Sequence, residues 1–196
     1  MASRPAYLLT TNATSKRTIF SRNVLIAIGF TVIVVPHIPN KDKVLSNKLS
    51  MQHIYSLIRD GTDPYAYVFE DDINVLTPIT LDEIIQYENI SEQFFYLGMC
   101  GYNGNTAKYT QLNINGYPVF RIACNVRGLH AIGLSQTGAN NLLQFSKKSA
   151  KRYMDTILED FSRLFPANIV RYDLHGRNRG HRGVIFQDRT QFPSSI

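Results

Sequence analysis

Between Tyr65 and Leu76 an aromatic, β-branched run, Tyr65-Ala66-Tyr67-Val68-Phe69, is closed by three consecutive acids, Glu70-Asp71-Asp72, and a second apolar stretch, Ile73 to Leu76, follows. This segment narrows what the chain can become more than any other. The run reads as a strand. Carboxylates buried within it carry a heavy desolvation penalty unless they neutralise or meet a cation. The strand is therefore expected to end at the triplet and to offer its acids to a bound divalent metal. A hard ion such as magnesium or manganese takes carboxylate oxygens and holds phosphates as well. The competing reading is a solvated acidic turn. On an extended strand the first and third acids share a side, which pairs Glu70 with Asp72 unless the backbone turns there. Asp72, at the tip, is the metal candidate. Glu70 and Asp71 are left for ribose hydroxyls or basic groups.

The elements around the triplet read as an α/β chain. Ala6–Thr10 is a short strand, Thr11–Ser15 a polar turn rich in N-cap residues, and Lys16–Ile28 a helix stopped by Gly29. Thr31–Val35 is a second strand, which gives a β-α-β unit with a parallel pair. Lys48–Arg59 reads as a helix with Leu49, His53, Ile54, Leu57 and Ile58 along one side. Tyr65–Phe69 then carries the acids to its C-terminal end, where open α/β sheets bind ligands. Thr80–Tyr87 is a helix, Gln93–Leu97 a strand, and Gly98–Gly116 a Gly- and Asn-rich loop with Tyr102 and Tyr109. Tyr117–Cys124 follows a tight turn at Asn115-Gly116. Gly128–Leu134 is a strand, Ser135 caps a helix reaching Phe145, and Ala150–Leu164 is a further helix. Asn168–Tyr172 and Val184–Phe186 are the last strands.

With 196 residues, 44% apolar and 18% charged, one domain over 1–196 is expected. A formal charge of +6 favours an anionic partner. The two cysteines, Cys100 and Cys124, have neither zinc-site spacing nor disulfide-scaffold density and read as reduced thiols. No secretory leader or bilayer-length apolar run occurs, so a soluble cytoplasmic protein is expected.

Three further constellations carry chemistry. Thr10-Thr11-Asn12, with Arg17 a turn later, can surround a base, ribose or diphosphate, or can simply cap the helix. The segment from Tyr172 to Arg182 combines Gly, His and Arg. There Arg177 and Arg179 suit a phosphate clamp and His175 can complete a metal shell begun by Asp72. A disordered basic tail or a nucleic-acid arm are the alternatives. On the late helix, Asp155, Glu159 and Asp160 include a candidate general base, against a solvated face pairing with Lys151, Arg152 and Arg163. No Gly-x-Gly-x-x-Gly follows the first strand, and Gly128 to Gly133 is followed by Leu134 where a P-loop needs Lys.

The patches Tyr67-Val68-Phe69-Glu70-Asp71-Asp72-Ile73, Phe95-Tyr96-Leu97-Gly98, Ser135-Gln136-Thr137-Gly138-Ala139 and Val184-Ile185-Phe186-Gln187-Asp188-Arg189 together resemble the family 25 glycosyltransferases, the lipopolysaccharide and collagen galactosyltransferase-like group. They also resemble the compact glycosyltransferases of large algal viruses, so a virus-encoded enzyme acting in host cytosol is among the expectations. The resemblance implies a GT-A fold with a mixed, mostly parallel sheet flanked by helices and a Rossmann-like nucleotide-binding half. It implies a nucleotide-sugar donor, UDP-sugar favoured, a manganese or magnesium ion, and a glycan or glycoprotein acceptor, with inversion favoured. Carried over by motif, Asp72 holds the metal; Glu70 and Asp71 meet ribose or donor sugar; Thr10, Thr11, Asn12 and Arg17 surround the nucleotide. Asp155 is the base candidate and Asp188 the next. The chain departs from the family in its short length and in having Leu9-Thr10-Thr11-Asn12 where an Asn-Leu-Asp-Arg wording is usual.

The expectation is a metal-dependent glycosyltransferase. Its rivals are a metal-dependent nucleotidyltransferase using the same acids and a basic nucleic-acid-binding module using Arg171 to Arg189.

Overall fold

The computed structural model describes residues 3–101, 107–123, 126–173 and 181–192. The chain runs β1 (Pro5–Thr10), α1 (Lys16–Ile28), β2 (Thr31–Pro36), α2 (Lys43–Asp60), β3 (Tyr65–Glu70), β4 (Ile73–Val75), α3 (Leu81–Glu88) and β5 (Phe94–Gly101). It continues through β6 (Ala107–Ile114), β7 (Tyr117–Ile122), β8 (Val126–Ser135), α4 (Gln136–Lys148), α5 (Met154–Leu164), β9 (Ala167–Ile169), β10 (His181–Gly183) and β11 (Ile185–Gln187).

The expected mixed α/β architecture is present. The main sheet has the order β2-β1-β3-β8-β5-β9-β7-β6, with β10 added against β5, while β11 and β4 form a separate ribbon. β1 is parallel to both β2 and β3, and β5 is parallel to β9. β8 enters antiparallel between β3 and β5. Being antiparallel to both neighbours, it leaves β1, β2, β3, β5 and β9 all pointing one way.

Helices cover both faces. Alternate residues of β3 explain why its burial is unbroken: Ala66 and Val68 face a core built with α2, α4 and α5. Tyr65, Tyr67 and Phe69 face a second core built with α1 and α3. A strand buried on both sides loses the apolar/polar alternation of a half-exposed one. Three helix starts follow their expected caps. Ser15 accepts from the Thr18 amide, Thr80 from that of Glu83 and Ser135 from that of Gly138. Gly29, at φ 114°, ends α1 in the left-handed conformation.

Four segments differ from the sequence expectations. α2 begins at Lys43, capped by Asp42, and its buried face is Ser46, Ser50, Met51, Ile54, Tyr55 and Ile58, while His53 and Leu57 are exposed. The serines are buried because they are bonded: Ser46 donates to the Ile38 carbonyl at 2.5 Å and Ser50 accepts from the Ile38 amide at 2.8 Å. Gly98–Gly116 is not one loop, because β5 runs to Gly101 and β6 starts at Ala107 to pair with β7. The turn at Asn115-Gly116, with both φ positive, closes that hairpin as expected. α5 starts at Met154 and not at Ala150, since Lys48 Nζ binds the carbonyls of Ser149 (3.1 Å) and Lys151 (2.9 Å) and holds that segment outside the helix. β9 is confined to Ala167–Ile169, and Arg171 beyond it has a positive φ. Tyr102, Cys124, His175, Arg177 and Arg179 lie outside the described residues.

Candidate functional site

The parallel strands β1, β2 and β3 end side by side, with Thr10 opposite Pro36 and Leu9 opposite Glu70. Beyond their carboxyl ends opens a cleft of about 460 Å³, within the range of small-molecule sites. Its lining includes all three acids of the triplet, Arg17 from α1, His37 and Lys43 around the start of α2, and Asp155 from α5.

The three acids do different work. Asp71, 6% exposed, is spent on the fold. Its Oδ1 accepts from Arg17 Nε at 2.6 Å, and its Oδ2 accepts from Thr10 Oγ1 at 2.5 Å and from Thr18 Oγ1 at 3.1 Å. Ser21 Oγ donates to the Asp71 carbonyl at 2.9 Å. These bonds fasten the β3 end to β1 and to α1. Thr10, 1% exposed, thus stands behind Asp71 and does not line the cleft. Thr11 does line it. The Asn12 carboxamide accepts from the amide and hydroxyl of Thr14, which makes it a turn cap.

β3 ends at Glu70 and the backbone turns at Asp71-Asp72, so strand alternation does not place Asp72; Glu70 and Asp72 nonetheless reach one common group across the turn. One amide nitrogen, Gln187 Nε2, lies 2.6 Å from Glu70 Oε2 and 3.4 Å from Asp72 Oδ1. Asp72 is 3% exposed, and Arg17 Nη2 approaches its other oxygen at 3.4 Å. Burial, reinforced by the charge of Asp72, pushes the Glu70 carboxyl up to about 8. Burial likewise raises Asp72, against the pull of Arg17. Two carboxylates that resist ionising together form a site short of positive charge. Their oxygen-only chemistry suits magnesium or manganese better than a soft metal. Among the described residues, no group of three or more His, Cys, Asp or Glu is arranged as a metal cluster.

On the opposite wall, the late-helix acids separate into two kinds. Glu159 pairs with Arg163 at 2.8 Å, and Asp160 with Lys151 at 2.6 Å. Asp155 lines the cleft, with Oδ1 accepting from the Thr156 amide at 2.8 Å. Asp188 faces elsewhere: its carboxylate accepts from Asn74 Nδ2 and from the Gln191 amide, each at 3.1 Å. Of the arginines of the nucleic-acid reading that fall in described segments, Arg171 and Arg182 are engaged within the fold, while Arg189 is exposed and lines the cleft. Arg171 grips Glu83 at 2.6 Å and lies over the Tyr117 ring, while Arg182, nearly buried, donates to the Asp173 carbonyl.

The sequence reading missed His37, Lys43 and Gln187 as site residues. Burial lowers the His37 imidazole, with Asp71 opposing, and its amide donates to the Thr10 carbonyl at 2.9 Å. Asp42 before Lys43 was the available signal for the helix start that places this wall. Gln187 stands in the Val184–Arg189 patch of the resemblance, but nothing local assigns it to the acids, which it reaches through the pairing of β11 with β4.

The fold and cleft thus define an α/β protein with an acidic site at the carboxyl ends of parallel strands. No protein-family model matches the sequence, and no curated protein matches it. Similar solved structures include A197 from STIV, 9% identical, with a TM-score of 0.43 over 86% of this chain and 81% of that one. They also include the apo-form glycosyltransferase GlyE of Streptococcus pneumoniae TIGR4, 9% identical, with a TM-score of 0.44 over 85% of this chain. The chain spans 44% of the length of GlyE. These likenesses are weak, and the functional reading rests on the cleft. Among the described residues no helix is long and apolar enough to cross a membrane.

Proposed function

We propose that this chain is a metal-dependent glycosyltransferase of GT-A-like fold that moves a sugar from a nucleotide-sugar donor, UDP-sugar favoured, to a hydroxyl of a glycan or glycoprotein acceptor, with inversion favoured. The observation that carries the proposal is the convergence of Glu70 and Asp72 on one amide at the floor of the cleft. This like-charge pair, Asp72 buried and Glu70 half-buried, is well suited to a hard divalent cation that completes its shell with water and phosphate oxygens. Asp72 and Glu70 are the residues that would hold manganese or magnesium. When bound, the ion would neutralise charge on a departing diphosphate. Arg17 lines the same cleft and supplies positive charge next to the acids. Asp155, on the other wall, would accept the proton of the attacking acceptor hydroxyl, and such base assistance contributes roughly 10²–10⁴-fold in rate. Burial disfavours the charged form of His37, which would leave the electrostatics of the donor side to the arginines.

The test is a thermal-shift screen of nucleotide sugars with and without Mn²⁺, on the wild type and on Asp72→Asn. A ligand that binds only the folded state raises Tm. A donor-specific rise that needs both Mn²⁺ and Asp72 supports the reading, and a rise indifferent to Asp72 refutes it. Release of nucleoside diphosphate, as opposed to pyrophosphate, separates sugar transfer from nucleotidyl transfer.

A further inference from the structure

Gln187 belongs to β11, the last strand among the described residues, yet it is the side chain that holds two of the triplet's acids. It is 6% exposed. Its Nε2 is placed to donate to Glu70 Oε2 at 2.6 Å and to Asp72 Oδ1 at 3.4 Å, and its Oε1 accepts from Arg189 Nη2 at 3.2 Å. Arg189 therefore fixes which end of the amide faces the acids: the oxygen takes the guanidinium's hydrogen, and the nitrogen's two hydrogens are left for the carboxylates. The backbone around it is tied down as well. β11 pairs with β4 through Gln187 opposite Ile73, and the Asp188 amide donates to the Asp72 carbonyl at 2.6 Å.

A neutral donor has a consequence that a cation would not have. Lysine or arginine at this place would cancel the charge of the acid pair. The amide satisfies one oxygen of each acid and adds no charge of its own to that already supplied by Arg17. We propose that Gln187 is a positioning residue for a divalent-cation site: its carboxamide sets the separation and orientation of Glu70 and Asp72. The inference rests on the metal reading of the cleft given above. Groups that orient metal-binding carboxylates typically influence metal affinity by about 10–100-fold.

The experiment is Mn²⁺ binding to the purified protein without donor, read by electron paramagnetic resonance of the unbound ion, for the wild type, Asp72→Asn, Gln187→Met and Gln187→Asn. Tm is measured in parallel without metal. Gln187→Met keeps the length of the side chain and loses the amide. Its Mn²⁺ dissociation constant is expected to rise about tenfold or more; its metal-free Tm falls as the two acids lose their donor, so the titration is made well below that Tm, where the variant is folded. If Gln187→Met does not fold, Gln187→Asn decides by the same titration, since it keeps the amide but is one methylene too short to reach both acids. Wild-type affinity in a folded Gln187 variant, with Asp72→Asn still defective, overturns the positioning role and leaves the metal reading intact. If the wild type itself binds no Mn²⁺, both fall together.

Discussion

The amide of Asp188 donates to the carbonyl of Asp72 across 2.6 Å. This bond joins the C-terminal strand to the turn that presents the acids. The Asp188 carboxylate itself is bonded to Asn74 Nδ2 and to the Gln191 amide and is not among the residues that line the cleft. Residues adjacent to one another in the sequence serve opposite purposes here, and the same division of labour within the acid triplet yields separable predictions.

Asp71→Ala removes the acceptor of Thr10, Thr18 and Arg17 at once. Breaking a buried, charge-assisted network and leaving its donors unsatisfied costs about 2–4 kcal/mol. In a chain of this size that lowers Tm by roughly 4–16 °C. Differential scanning calorimetry of the metal-free protein checks it, and an unchanged Tm would show that the three donors find other partners.

Glu70→Gln should stabilise the metal-free protein at pH 8 and have little effect at pH 5. The Glu70 carboxyl is raised to about 8 in the fold, while an unfolded glutamate titrates near 4.3. Between those values the native state holds the extra proton, so stability falls as pH rises through the window and the full penalty is present above it. The neutral variant escapes that penalty. A Tm-versus-pH profile for wild type and variant should diverge as pH increases from 5 to 8.

Asp155→Ala is expected to lower transfer by about 10²–10⁴-fold with donor affinity retained. Its carboxylate lines the cleft but accepts only a local amide bond in the described contacts, so little stability should be lost. Steady-state transfer, alongside donor binding by calorimetry, distinguishes this from a general binding defect.

Gly98→Ala tests the C-terminal strap. A Cβ at Gly98 would stand 1.9 Å from the Ile185 carbonyl oxygen and 2.7 Å from His130 Nε2. Relief requires β11 to move, at about 1–3 kcal/mol for an overpacked site. Because β11 carries Gln187, the variant should lose Mn²⁺ affinity together with thermal stability, whereas Asp71→Ala is first a stability defect.

What could be read from the sequence, and what could not, follows from the range of the interactions. The caps at Ser15, Thr80 and Ser135, the turn at Asn115-Gly116 and the end of β3 at the acids are local, and each was legible within a few residues. The start of α2 was hidden because its buried face opens with Ser46 and Ser50, whose burial depends on bonds to the loop at Ile38. Gly98–Gly116 looked like a loop because strand pairing in β6 comes from β7, which no composition reveals. Asp72 and Asp155 were singled out from local sequence, and both line the cleft. Thr10 was noticed for the right strand end, but its partner, Asp71, sits 61 positions away. Gln187 depends on a contact spanning 115 positions.

That last span has a kinetic meaning. On a ribosome the two like-charged acids emerge long before the carboxamide that reconciles them. Until the closing strand arrives, a nascent or refolding chain must hold Glu70 and Asp72 apart, protonated or in water. Competence for the cation is therefore expected to require the closing strand, so that Mn²⁺ uptake during refolding does not precede the pairing of β11 with β4.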